Sequence, residues 1–306
     1  MQPADPFRDT DPIPDADPFR EKVAIVTGGA SGIGAAIGAA LFARGAHVVL
    51  ADVDGPGATA TATRLHDRAS AHAGSVTGRA VDVRDGDAVQ ALVTGVADAH
   101  GHLDLAFNNA GISIGGESHT MAAALWRRVV DVNFTGVVNC VTAAYPIMVE
   151  QGYGHIVNTA SAAGLAPAVM TATYSASKHA VVGLSLALRP EAAQHGVRVS
   201  VLCPGAVDTP ILDQAPPADL PPLPDHTPTG REFMAILGLK PRPPEATARA
   251  ALRGVERNRA VIPGDAMTRA IWYLQRASPA AVDLVGRVTA RRVLAAMGRP
   301  GPLRRR

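Results

Sequence analysis

From residue 22 to residue 262, short β-branched runs alternate with alanine-rich segments long enough for helices. The runs fall at 23–27, 47–51, 75–81, 103–107, 155–158, 197–202 and 260–262. Between them, 33–44, 56–72, 85–100, 121–150 and 173–195 read as helices, with a further one from Glu245 to Arg257. Strands that alternate with helices pair in parallel, because each crossover returns the chain to the same end of the sheet. The runs are nearly uniformly apolar, as strands covered on both faces must be. A doubly wound α/β fold follows, one parallel seven-stranded sheet with helices on both faces.

The chain of 306 residues is long enough to bury one large core. Its 29 basic and 27 acidic residues nearly cancel, which gives no electrostatic footprint for nucleic acid. Two cysteines, Cys140 and Cys203, cannot build a disulfide scaffold or a four-ligand zinc site, and the ten histidines show no metal-ligand spacing. No apolar run reaches the roughly 18 residues of a spanning helix, and the N-terminus is acidic and proline-rich, unlike a secretory signal. A reduced cytoplasmic compartment is expected.

Three segments depart from the alternation. Residues 1–20 repeat Ala-Asp-Pro-Phe-Arg and read as a flexible arm. Residues 208–244 contain ten prolines and read as a lid over a substrate site within one domain spanning 21–262. The tail, 263–306, holds two arginine-bearing amphipathic stretches. These either pack on the core or a subunit interface, the reading favoured here, or lie on a membrane surface.

The first strand runs directly into Gly28-Gly29-Ala30-Ser31-Gly32-Ile33-Gly34. Glycines let backbone approach a pyrophosphate, and the helix start that follows offers free N–H groups. Asp52 closes the second strand about twenty residues later, where an acid accepts from the adenosine ribose hydroxyls. A carboxylate there repels a 2′-phosphate, and neither Ser31 nor Val53 is basic, so NAD is expected rather than NADP. Asp54 is a rival for the same role.

These features, with others in order, resemble the short-chain dehydrogenase/reductase family over residues 20–262. Thr27 to Gly34 is similar to the family's Thr-Gly-x-x-x-Gly-x-Gly turn. Asp82-Val83 matches the pair beside the adenine, and Asn108-Asn109-Ala110-Gly111 matches the motif after the fourth strand. Asn133, Ser161 and Tyr174-x-x-x-Lys178 stand where the family keeps its active-site residues. Pro204 to Thr209 resembles the segment that touches the nicotinamide. The resemblance implies a single Rossmann domain and cofactor contacts from Gly28, Ser31, Gly32, Ile33, Gly34, Asp52, Val53, Asp82, Val83, Asn109, Ala110, Gly111, Tyr174, Lys178, Pro204, Gly205, Val207 and Thr209; with no His-Glu-x-x-His or Cys-x-x-Cys in the sequence, no metal is expected. It also implies a homo-oligomer, dimer or tetramer, built through the helices near 121–150 and 173–195.

The chemistry has its own logic. Tyr174 and Lys178 are four apart and share a helix face. A free phenol titrates near about 10 and is a poor base at neutral pH, whereas a nearby ammonium and an oxidised nicotinamide favour the phenolate. Ser161 would hold the substrate oxygen beside Tyr174, and by resemblance Asn133 would hold a water linked to Lys178. Ala162, Ala163, Leu165, Ala166, Pro167, Ala168, Val169 and Met170, with Ile112, Ser113 and Ile114, would form an apolar cleft. The expected activity is NAD-dependent interconversion of a bulky apolar secondary alcohol and its ketone. The alternatives are an NADPH-dependent 3-oxoacyl-thioester reductase and a non-catalytic nucleotide sensor.

Overall fold

The computed structural model describes residues 17–69, 73–224 and 227–298. Its strands are β1 (Val23–Thr27), β2 (His47–Asp52), β3 (Ser75–Ala80), β4 (Leu105–Asn108), β5 (Gly154–Thr159), β6 (Val197–Cys203) and β7 (Val261–Pro263). They form one parallel sheet in the order β3-β2-β1-β4-β5-β6-β7. The winding direction reverses between β1 and β4, which opens a crevice at the carboxyl ends of these strands.

The helices are α1 (Gly32–Ala43), α2 (Gly55–His66), α3 (Gly86–His100), α4 (Ala123–Val130), α5 (Gly136–Gln151), α6 (Ala172–Ala193), α7 (Gly230–Ile236), α8 (Pro244–Glu256), α9 (Ala266–Ala277) and α10 (Pro279–Ala296). The period of two along β1 sorts the core into two layers. Val23 and Ile25 join Val93 of α3, Val137 and Val141 of α5 and Val181 of α6, while Ala24 and Val26 join Ile37 and Leu41 of α1, Ala62 of α2 and Leu252 of α8. The rule of uniform burial fails at the edge strand β3, where Val76 is the one buried residue, and at the exposed Arg198 of β6.

The expected 121–150 helix is interrupted. Between α4 and α5 the chain makes a π turn, Asp131–Thr135, around the fully buried Asn133. By length and composition alone the continuous span Ala123–Gln151 does pass for a membrane-crossing helix, contrary to the sequence expectation. In the fold its inner side is instead part of the core, through Leu125, Val129, Val137, Val141 and Met148.

The arm expectation needs correction at its end, while residues 1–16 lie outside the described residues. Phe19 is 2% exposed, inside the α1 layer, with the Arg44 guanidinium 4.4 Å from its ring centroid. Asp17 fixes this docking by accepting from Phe19 N at 2.8 Å and Arg44 Nε at 2.7 Å. The described part of the 208–244 segment is also structured: it contains α7, and Val207 and Arg242 form a parallel bridge at its base.

Candidate functional site

The crevice is built on a junction between β1 and β4. Thr27 Oγ1 accepts from Asn109 N at 2.9 Å and Ala110 N at 3.1 Å, and Asn109 Nδ2 donates to Thr27 O at 3.0 Å. Below it, Asn108 Nδ2 donates to Asn158 Oδ1 at 2.8 Å, Asn158 Nδ2 to Ser185 Oγ at 2.9 Å, and Ser185 Oγ to Val181 O at 2.7 Å. This buried chain ties β4 to β5 and α6.

Gly28 and Gly32 adopt left-handed φ of 69° and 56°, which glycine takes without strain. A Cβ on Gly32 would lie 3.0 Å from Thr209, closing the gap between the turn and the segment after β6. Ser31 precedes α1 without a side-chain cap, and no acid stands in the first turn of that helix. Its N–H groups and positive dipole end therefore face the crevice, a cradle suited to a phosphate.

Asp52, and not Asp54, lines the crevice. Its Oδ2 accepts from Ala30 N at 3.0 Å and its Oδ1 from Asp54 N at 3.0 Å, which leaves lone pairs on both oxygens. Asp54 instead caps α2, accepting from Gly57 N at 2.9 Å, and lies off the cavity wall. Across the crevice, Arg84 grips Asp82 through both carboxylate oxygens and holds that carboxyl below the usual range. Sequence reasoning missed this clamp, and also Arg128 on the same wall, which pairs with Asp219.

One cavity of about 2010 Å³ brings these groups together. Of the expected cofactor contacts, only Gly34 is absent from its wall. A Cβ on Gly34 would sit 2.0 Å from Gly28 O, so this glycine serves the close crossing of α1 over the turn. Leu165 is likewise off the wall, in the α5–α6 core layer, whereas its neighbours Ala162, Ala163, Ala166 to Met170 line it.

Ser161, Tyr174 and Lys178 share this cavity. Ser161 ends the extended segment after β5, and its Oγ accepts from Ala163 N at 3.1 Å. Lys178 Nζ lies 5.7 Å from the Tyr174 ring centroid and donates to Thr159 O at 2.9 Å. Burial pushes the Tyr174 phenol above its ordinary value, against the Ser161 hydrogen bond that lowers it. Burial also brings the Lys178 ammonium down to about 8. The pair is therefore poised for proton exchange closer to neutrality on the lysine side than on the tyrosine side.

Asn133 lies behind the wall. Its Oδ1 accepts from Ile112 N at 2.8 Å, while its Nδ2 donates to Ile112 O at 2.9 Å and Ser177 Oγ at 3.1 Å. A Cβ on Gly111 would approach both Asn133 Oδ1, at 3.1 Å, and Lys178 Nζ, at 3.3 Å. The π turn thus sets the loop after β4 against α6 beside the lysine, a use of π turns common at functional sites.

The wall also has local geometry that no motif indicated. Met170 takes φ of 61°, a strained conformation for a side chain of its size, held by Gly116 N donating to its carbonyl at 2.7 Å. Arg231 of α7 bridges Asp208 and Asp213, both at the lid base, at 2.8 and 2.7 Å. Thr229-Gly230-Arg231-Glu232 is a complete capping box at the start of α7, a signal the sequence did offer.

The short chain dehydrogenase family profile matches residues 22–219. The chain is 40% identical over 192 residues to a putative ketoacyl reductase of Streptomyces coelicolor, covering 62% of this chain and 72% of that protein. It is 36% identical over 199 residues to levodione reductase of Leifsonia aquatica, covering 64% and 73%. A solved short chain dehydrogenase/reductase from Burkholderia phymatum, in complex with NAD, superposes with a TM-score of 0.77 at 31% identity, covering 93% of this chain and 98% of that one. The chain is an oxidoreductase of the short-chain dehydrogenase/reductase family.

Proposed function

We propose that the protein is an NAD-dependent dehydrogenase that interconverts an apolar secondary alcohol and its ketone. The observation that carries this reading is Ser161, Tyr174 and Lys178 on one cavity wall with Asp52 and the Gly28–Gly32 turn. The residues fit the dinucleotide: an uncapped helix start for the pyrophosphate, glycines where a Cβ would fill the cradle, and a carboxylate with free lone pairs for the ribose. When bound, NAD supplies the acceptor for the hydride lost by the carbinol carbon.

The remaining work belongs to this chain. Ser161 Oγ orients the substrate oxygen. Tyr174 Oη takes the hydroxyl proton in oxidation and returns one in reduction. Lys178 stabilises the phenolate and relays the proton, and Asn133 positions the loop and helix around it. The raised pKa of Tyr174 favours the phenol, the form that donates to a ketone. Asp52 supports NAD over NADP, since Arg84, the basic group across the crevice, is already gripped by Asp82. The apolar wall at Ala162, Ala163 and 166–170 supports an apolar substrate. Two free buried thiols support a reducing cytoplasmic compartment.

The likeness to ketoacyl reductases favours a second reading, an NADPH-dependent 3-oxoacyl-thioester reductase. One assay separates the two. NADH formation at 340 nm is followed across steroid, terpenoid and aliphatic secondary alcohols, and NADPH consumption with an acyl-thioester. Turnover with NAD and alcohols is expected to fall about 10²–10⁴-fold in Tyr174→Phe. Faster turnover with NADPH and the thioester selects the second reading, and an unaffected variant removes Tyr174 as the acid/base.

A further inference from the structure

The net charge of +2 conceals a division along the chain. Residues 263–306 carry nine arginines against Asp265 and Asp283, a net of +7, so residues 1–262 carry −5. The positive segment contains no lysine and no glutamate. Among the described residues, five of these arginines stand exposed on α9 and α10, and only Arg287 is in an ion pair, with Asp283 at 2.7 Å. Arg276 instead lies 5.8 Å from the Trp272 ring centroid.

Apolar side chains are exposed on the same two helices. Of the ten large hydrophobic residues exposed among the described residues, six lie between Met267 and Val288. Met267, Leu274 and Val285 are on the cavity wall, whereas Tyr273, Leu284 and Val288 are off it and interleave with arginines. Arg269, Tyr273 and Arg276 stand at i, i+4 and i+7 on α9. Leu284, Arg287, Val288 and Arg291 stand at i, i+3, i+4 and i+7 on α10. Both helices are held from their inner sides, α9 by Trp272 against the core and α10 by the buried Val282 and Val293. Singly exposed apolar residues are ordinary, but a cluster of them among charges of one sign marks an interaction surface.

We propose that the outward face of the α9–α10 hairpin binds the surface of an anionic phospholipid bilayer. Guanidinium groups pair with phosphates through two N–H donors at once. Tyr273, Leu284 and Val288 then enter the boundary between headgroups and acyl chains, the geometry of a helix lying in the interface. Neither helix is long and apolar enough to cross a membrane. The acidic remainder of the chain is repelled by the same surface, which turns the hairpin towards it. A nucleic acid would engage the arginines and leave Leu284 and Val288 in water. A second copy related by a two-fold axis would set the arginines against themselves.

The test is co-sedimentation of the full-length protein, at low ionic strength, with vesicles of phosphatidylcholine or of phosphatidylcholine and phosphatidylglycerol in equal parts. The protein is expected to pellet with the mixed vesicles only, and added salt should release it. Arg287→Gln and Arg291→Gln should each weaken this partition by about fivefold. Leu284→Ser, which removes no charge, should weaken it by up to about tenfold. All three variants change exposed side chains and should keep the wild-type thermal midpoint. Failure to pellet with mixed vesicles overturns the proposal, as does equal pelleting with phosphatidylcholine alone. A Leu284→Ser variant that partitions like wild type also overturns it, because the face then recognises charge without inserting. So does an oligomer that Leu284→Ser dissociates in the absence of lipid, because a second copy then covers the face.

Discussion

A methyl group added to Gly34 would lie 2.0 Å from a carbonyl oxygen, whereas one added to Gly286 would touch nothing. The two glycines stand for two halves of the molecule. In the cofactor half, α1 buries Ala36, Ile37, Ala39, Leu41 and Phe42 against the sheet, and the turn before it is fixed by contacts too close for any side chain. In the substrate half, α10 buries only Val282 and Val293, and α9 only Thr268. The first half is complete through its own packing, so backbone N–H groups there can be aimed at a ligand. The second leaves most of its apolar side chains only part-buried, so apolar surface brought against them would add burial that the chain alone lacks.

Gly34→Ala should break the first half. The turn has no room to give, because the same Cβ would also meet Asn109 Nδ2 at 2.7 Å. Destabilisation of about 3 kcal/mol is expected, with loss of NAD binding, by urea unfolding and calorimetry. A normal midpoint would show that the crossing of α1 over the turn is looser than its geometry.

Acid should act on the core before it acts on the hairpin. His155 of β5 is 4% exposed; its Nε2 donates to Ser200 Oγ at 2.8 Å, and Ser200 in turn donates to Arg259 O. Burial, aided by the charges of Arg198 and Arg189, lowers its pKa to about 3. The unfolded chain, with a histidine near about 6.5, binds a proton that the native state refuses, so stability falls as pH drops from 6.5 towards 3. At pH 4.5 this amounts to about 2–3 kcal/mol. Urea midpoints measured at pH 7 and 4.5 should diverge less in His155→Gln than in wild type. Equal pH dependence in both proteins would remove His155 as the cause.

The cofactor half was also the more legible one. Seven strands, the turn at Gly28–Gly34, Asp52 and the Tyr174–Lys178 spacing are local patterns, and a local pattern survives in a sequence. The π turn at Asn133 did not show, because apolar residues continue across it and only the helix hydrogen-bonding changes. Nor did the Asn108–Asn158–Ser185 chain, whose members are about thirty to fifty residues apart and meet only in the fold. Phe19 looked like part of an arm, because its burial depends on Asp17 and Arg44, a pair no periodicity marks. In the tail the amphipathic pattern located the apolar stripes of α9 and α10. It does not tell whether the stripe faces a packed core or an open cavity.

The outer side of α10 offers the gentlest probe of the contrast. Leu284 is 63% exposed and Val288 41%, flanked by Arg287 and Arg291, whereas Leu41 of α1 is fully buried. A leucine already in water has little burial to lose, so Leu284→Asp should change stability by no more than about 0.5 kcal/mol. The added charge lies near Arg287 and Arg291, which favours tolerance further. Thermal melting and sedimentation velocity of the variant should both match wild type, since copies of the chain are expected to meet through α5 and α6 instead. A fall in sedimentation coefficient would place α10 in a subunit interface and make the hairpin a packed element after all. The two halves would then differ in what covers them, and the openness of the substrate half would belong to its inner face alone.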